Sequence, residues 1–273
     1  ECGLPRGIPV AAGSGDAPLA AFGGGVTQPG KLFVSAGTTD CIMVSSATPS
    51  SSAVFCNIHG STADPLWVVN GTMSTAGGSV QWFCERFAQT DPDTMAKWAD
   101  QALPGSRGLV YLPYLQGERT PWWNPHAKGV MFGLTLMTGR EEAARAIYEG
   151  VACGWRQIIT LLEAHLGTRP SEITVVGGGS TNPLWNRIKA TALGRPLTVL
   201  TVPEITSLGA ALCGGLCAGV FGSPVEAVQA THALRTTRTF EPVAEWVAAA
   251  ETTYALYDAL YPALAGLYKD PPF

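Results

Sequence analysis

Residues 173–202, ITVVGGGSTNPLWNRIKATALGRPLTVLTV, read as strand, turn, helix, turn and strand. The β-branched run Ile173, Thr174, Val175, Val176 favours an extended chain. Gly177, Gly178 and Gly179 interrupt it, and Asn182 followed by Pro183 marks a helix start, because a proline at the first helical position gives up an N–H that would have no partner there anyway. Gly194 closes the helix, and 197–202 returns as a second strand. A Gly- and Ala-rich segment over 207–220 follows as a helix able to lie close against a sheet. Strands alternating with helices define an α/β chain.

Upstream, 8–12 reads as a short strand running into Gly13-Ser14-Gly15-Asp16, which leaves one carboxylate beside a nearly bare backbone. Segments 31–36 and 41–44 are strands joined by Gly37-Thr38-Thr39-Asp40, a turn that can aim N–H groups and hydroxyls at an anion. Two more short strands fall at 54–58 and 67–69. From Met73 onward Ala76, Val80, Phe83 and Phe87 recur at helical spacing, with Gly77 and Gln81 near the start. After a strand at 108–115 comes GERTPWWNPHAKG (117–129), a charged, aromatic, proline-rich loop of the kind that forms a cleft wall. Thr138 with Glu141 is a capping box, and Ala143, Ile147, Val151, Ile158 and Leu162 mark a long amphipathic helix ending near Gly167. Segment 243–268 is helical, and its Trp246, Tyr254, Tyr257 and Tyr261 would suit a subunit contact.

Composition narrows the function. The 273 residues are 46% hydrophobic, enough for a sizeable core. Seventeen basic against 21 acidic residues give a net charge of −4, so nothing electrostatic calls for nucleic acid or an anionic membrane. The apolar run 208–221 contains four glycines and is shorter than the roughly 20 residues of a membrane helix, so a buried helix is expected. Seven cysteines without a CxxC or a spaced histidine favour neither a disulfide framework nor zinc, and point to a reducing cytoplasm. No secretory signal is expected at the N-terminus. Residues 1–5 read as a loop leading into a strand, the opening of the second half of a longer protein.

Single motifs decide little. Gly13-Ser14-Gly15 begins a dinucleotide fingerprint, but Pro18 stands where its last glycine is needed. Residues 25–31 match most of a phosphate-binding loop, yet Leu32 replaces the magnesium-holding hydroxyl and a strand follows. No GxSxG occurs, and the four histidines suit surface or capping roles. Asp16 reads equally as a turn or helix-cap residue, 37–40 as an ordinary hairpin turn, and 177–179 as a tight strand-to-helix joint.

Their collinear order carries more. AAGSGDAPLAAFGGG, SAGTTD, LPYLQGERTPWWNPHAKGVMFGLT, IYEGVA, VVGGGSTNPLWNRIKATALGRPL and TSLGAAL together resemble the second lobe of the FGGY carbohydrate kinases, the xylulokinases most of all. The resemblance implies a ribonuclease-H-like lobe of the actin and hexokinase type of ATPase fold, a mixed sheet flanked by helices. It implies a kinase lobe over 1–240, a helix over 241–273 packed on it, and a sugar-binding N-terminal lobe outside this chain.

By the same resemblance Asp16 is the catalytic base and touches the sugar, and it meets magnesium, if at all, through water. Gly37, Thr38 and Thr39 form the phosphate turn, Gly77 and Gln81 the nucleotide-facing helix start, and Gly178, Gly179 and Asn182 the adenosine pocket. The reaction implied is transfer of phosphate from ATP with Mg2+ to D-xylulose, or to another ketose, polyol or sugar acid. A non-catalytic nucleotide-binding lobe is the rival. A homodimer fits the aromatic C-terminal segment. Ala17 and Pro18 depart from the amide that commonly follows the base, and Asp40 from the small residue usual there. Glu118 and Arg119 are expected to form an internal ion pair.

Overall fold

A computed structural model describes residues 3–60, 66–202 and 204–268; the expectations for the opening loop and the C-terminal segment extend beyond these at residues 1–2 and 269–273. Seven strands form one mixed sheet in the order β3-β4-β2-β1-β7-β8-β9. Four of them, β1 (Leu32–Ala36), β2 (Asp40–Ser46), β3 (Cys56–His59) and β4 (Trp67–Met73), make an antiparallel half. Against β1, β7 (Ile173–Val176) and then β8 (Leu197–Thr201) run parallel, and β9 (Thr236–Phe240) closes the edge antiparallel. A small separate ribbon pairs β5 (Val110–Leu112) with β6 (Val130–Phe132). This is the mixed sheet flanked by helices expected of a ribonuclease-H-like lobe.

Strand alternation sends successive side chains to opposite faces. Leu32, Val34, Ile42 and Val44 join a core with Ile147, Val151, Trp155 and Ile158 of the long helix α4 (Arg140–Leu166) and with Trp185 and Ile188 of α5 (Pro183–Leu193). Phe33, Met43 and Val68 face the other way, toward Ala20 and Ala21 of α1 (Asp16–Gly23), with Ile205 of α6 (Ile205–Cys217) packed alongside. The 27-residue α4 is the spine of the first layer. It even buries a charge pair, Arg145 Nε to Glu149 Oε1 at 2.8 Å, whose carboxylate also accepts from Gly105 N and Ser106 Oγ.

Several local expectations are corrected. No strand forms over 8–12; Ile8 and Val10 are exposed and find no sheet neighbour. Met73 ends β4, paired with Asp40, so the next helix begins four residues later as α2 (Gly77–Trp82) and widens into a π-type turn over Phe83–Ala88. The strand read at 108–115 shrinks to Val110–Leu112. Gly139, not Thr138, caps α4, and its N–H donates to Glu142, one position beyond Glu141. Nor is α6 a buried helix: only Gly209, Leu212 and Cys213 are fully covered. Of its glycines Gly209 serves contact with α1 rather than the sheet, since a Cβ there would lie 2.0 Å from the carbonyl oxygen of Leu19.

The aromatic residues read as a subunit contact are used within the chain. In α8 (Val247–Leu264), Tyr257 and Tyr261 are buried, and Tyr261 stacks on Trp122 with centroids 3.9 Å apart. Trp246 lies beneath the guanidinium of Arg145. The six described cysteines are free thiols. Among the described residues no helix is long and apolar enough to cross a membrane.

Candidate active site

The register of β1 against β7 pairs Val34 with Val175 and Ser35 with Val176, so the two parallel strands end side by side. Each runs into a glycine turn there. At the end of β7, Gly177 has φ +93°, and a Cβ would meet the carbonyl oxygen of Ala36 at 2.3 Å, so only glycine can pass this close to β1. Asn182 then caps α5: its Oδ1 accepts from Leu184 N at 2.9 Å and Trp185 N at 3.2 Å, while Nδ2 donates to the Tyr148 hydroxyl.

After β1, the turn at 37–40 is braced by the start of α2. Ala76 N and Gly78 N donate to Thr38 O, and Gly77 N donates to Gly37 O at 2.9 Å. Here too side-chain atoms are excluded, because a Cβ on Gly77 would stand 2.4 Å from Gly37 O. Between the turns lies a crevice of about 380 Å³ lined by Gly37, Thr38, Gly77, Tyr148, Gly178 and Asn182, with Gly179, Val80, Pro92, Thr181 and Trp185 completing its wall. The N–H groups of Thr38, which lines the crevice, and of Thr39 next to it have no protein acceptor among the described residues.

The side chains of three sequence-predicted residues stand apart from this crevice. Thr39 turns its hydroxyl to Ser74 O at 3.0 Å and lines a second depression with Ser74, Gln116, Glu118, Arg119, Trp123 and Pro125. Gln81 is exposed, and its amide donates to Glu85 one turn on. Asp16 is the exposed first residue of α1, accepting from Ala17 N at 2.8 Å. It does not line the crevice, but it is near enough to Cys41 of β2 that its carboxylate, after burial, raises the Cys41 thiol; Asp40 adds to this, and Arg119 opposes it.

The Glu118–Arg119 ion pair takes another form. The Glu118 carboxylate is buried and accepts from Ser74 N at 2.7 Å and Arg119 N at 2.8 Å, whereas the Arg119 side chain is exposed. Burial pushes the carboxyl up to about 7 against those donors. Asp40, whose orientation the sequence leaves open, points inward. Its Oδ1 accepts from Gly37 N at 2.8 Å and its Oδ2 from Trp155 Nε1 at 2.6 Å. Burial raises Asp40, with Lys189 the main opposing charge, and the same burial holds Lys189 down to about 8. Tyr148, Trp155, Trp185 and Lys189 escape sequence reading as site residues: all sit at ordinary helical core positions, and only the fold brings them to the turns.

Fold and sheet order define one lobe of an actin/hexokinase-type ATPase, and comparison with known proteins agrees. The pattern of the FGGY family of carbohydrate kinases, C-terminal domain, matches residues 32–233, and the chain belongs to that family. A glycerol kinase of Myxococcus xanthus is 34% identical over 250 residues, 88% of this chain and 49% of that protein. The xylulose kinase of Escherichia coli is 31% identical over 223 residues, 80% of this chain and 46% of that one. Among solved structures, a xylulose kinase from Rhodospirillum rubrum superposes with a TM-score of 0.85 at 28% identity, covering 97% of this chain and 54% of its own. The chain spans about half the length of the curated relatives it matches.

Proposed function

We propose that this chain is the nucleotide-binding lobe of an ATP-dependent sugar kinase, and that Asp16 is the base that takes the proton of the attacking sugar hydroxyl. The observation that carries the reading is the crevice between residues 37–38 and 178–182, where glycine backbone and uncommitted N–H groups converge at the ends of two parallel strands. Backbone donors at such a turn suit the phosphate chain, and the bare surface at Gly178 and Gly179 suits the flat face of a purine. A sugar hydroxyl is a poor nucleophile. A carboxylate within hydrogen-bond reach accepts its proton as the γ-phosphoryl group transfers in line.

Asp16 fits this role as an exposed carboxylate on a helix start, close enough to Cys41, the residue after the 37–40 turn, to raise its thiol. Magnesium, which keeps most of its waters and binds chiefly the nucleotide's own oxygens, needs no cluster of protein ligands, so one carboxylate reached through water suffices. When bound it neutralises charge on the transferring phosphate. The acceptor is D-xylulose, giving D-xylulose 5-phosphate, on the strength of the solved xylulose kinases; glycerol kinase, ribulokinase and gluconokinase relatives make other polyols, ketoses and sugar acids the alternatives to test. Sugar contacts on a second lobe complete the cleft in this reading.

The test is an ATP-coupled assay of the complete protein against a panel of pentuloses, hexuloses, polyols and sugar acids, with D-xylulose expected to give the highest kcat/KM. Asp16→Ala should lower kcat by about 10²–10⁴-fold while ADP affinity holds, as loss of a general base requires. Turnover unaffected by that substitution would remove Asp16 from the mechanism, and absence of turnover on every acceptor would leave only the non-catalytic lobe.

A further inference from the structure

Lys189 is fully buried in the middle of α5, an expensive place for an ammonium group. Its Nζ donates to Gly179 O at 3.0 Å and lies 3.9 Å from the ring centroid of Trp185 and 4.2 Å from that of Trp155. Trp155, also fully buried, donates its indole N–H to Asp40 at 2.6 Å, and the other oxygen of Asp40 accepts from Gly37 N at 2.8 Å. A continuous chain of contacts therefore runs from one glycine turn to the other behind the crevice: Gly37, Asp40, Trp155, Lys189, Gly179. Both end residues line the crevice.

Buried charges of this kind seldom make a fold more stable than well-packed apolar residues would. What they add is direction. Gly37 and Gly179 have no side chains to fix their peptide planes, and each is gripped from behind by a charged group. We propose that Asp40 and Lys189 are positioning residues, acting through Trp155 to hold the phosphate turn and the glycine turn at one fixed separation for the nucleotide. The inference rests on the nucleotide reading of the crevice and extends it to residues that face away from the ligand. It also accounts for the acidic residue at position 40: its carboxylate grips the turn from the core side and is not presented to the phosphates.

The experiment measures ADP binding by calorimetry, and KM for ATP and for the sugar, in the complete protein and four variants: Lys189→Met, Asp40→Asn, the double variant and Trp155→Phe. Each single variant of the pair strands the other charge in the core and should lower Tm. The double variant buries no charge, so its Tm should return toward the parent value. A thioether in place of the ammonium still cannot grip Gly179, so ADP affinity should stay about tenfold weaker, the scale of one charge-assisted hydrogen bond, with KM for ATP raised and KM for the sugar unchanged. Trp155→Phe keeps a ring beneath Lys189 but loses the donor to Asp40, and should weaken ADP in the same selective way. Parent-like ADP affinity in a stable double variant and in Trp155→Phe would overturn the proposal, as would equal changes in both KM values. A parent protein that binds no ADP would overturn the nucleotide reading itself, which the variants alone do not address.

Discussion

A glutamate that reads from the sequence as one half of an internal ion pair turns out to be a buried carboxyl held by backbone N–H groups. Glu118 holds the backbone of Ser74 and Arg119, and Ser74 O in turn receives the hydroxyl of Thr39 in the 37–40 turn. Burial raises the carboxyl from its ordinary 4.5 to about 7. The folded state therefore keeps a proton that the unfolded chain releases. Stability from this group is complete below pH 4.5, falls between pH 4.5 and 7, and is level above that. Glu118→Gln should abolish the slope, so that the stability difference between parent and variant shifts by on the order of 3 kcal/mol across the window. Urea unfolding of both proteins at several pH values measures it; a difference that stays flat would contradict the assignment. GERTPWW does not show this, because the shorter of the two bonds comes from Ser74, just after β4 and more than forty positions away.

At the scale of elements, what the sequence makes legible is what local chemistry enforces. The unit from β7 to β8 reads correctly because each boundary has its own chemical cause: β-branched residues, then glycine, then Asn182 with Pro183, then Gly194. Long α4 is equally plain from its period. Legibility fails where tertiary partners decide. The apolar run at 8–12 has strand composition but no sheet edge to join, and Gly209 of α6 answers to Leu19 of α1, far earlier in the chain. Gly177→Ala tests the tightest joint. It places a Cβ 2.3 Å from Ala36 O at φ +93°, and should cost about 3 kcal/mol from backbone strain and overpacking combined. Chemical denaturation reads that loss directly; a variant of parent stability would mean that the turn can relax and does not set the crevice.

Over the whole molecule, the order of the motifs along the chain carries the family likeness, and the fold explains why that order matters. Two turns separated by about 140 residues meet because β1 and β7 are neighbours in the sheet. Of the residues read as nucleotide contacts, Gly37, Thr38, Gly77, Gly178, Gly179 and Asn182 line one crevice, while the side chains of Thr39 and Gln81 face elsewhere; Asp16, read as the base, lies outside that lining and near Cys41. The account predicts that the lobe reads the nucleotide mainly through backbone, and that the carboxylate of Asp16 stands at the end where the γ-phosphate emerges. A crystal structure of the complete protein with ADP and magnesium tests this most directly. It should show phosphate oxygens on the N–H groups of Thr38 and Thr39, and the purine lying against Gly178 and Gly179. A nucleotide bound in any other cleft, or phosphates turned away from the 37–39 turn, would contradict it.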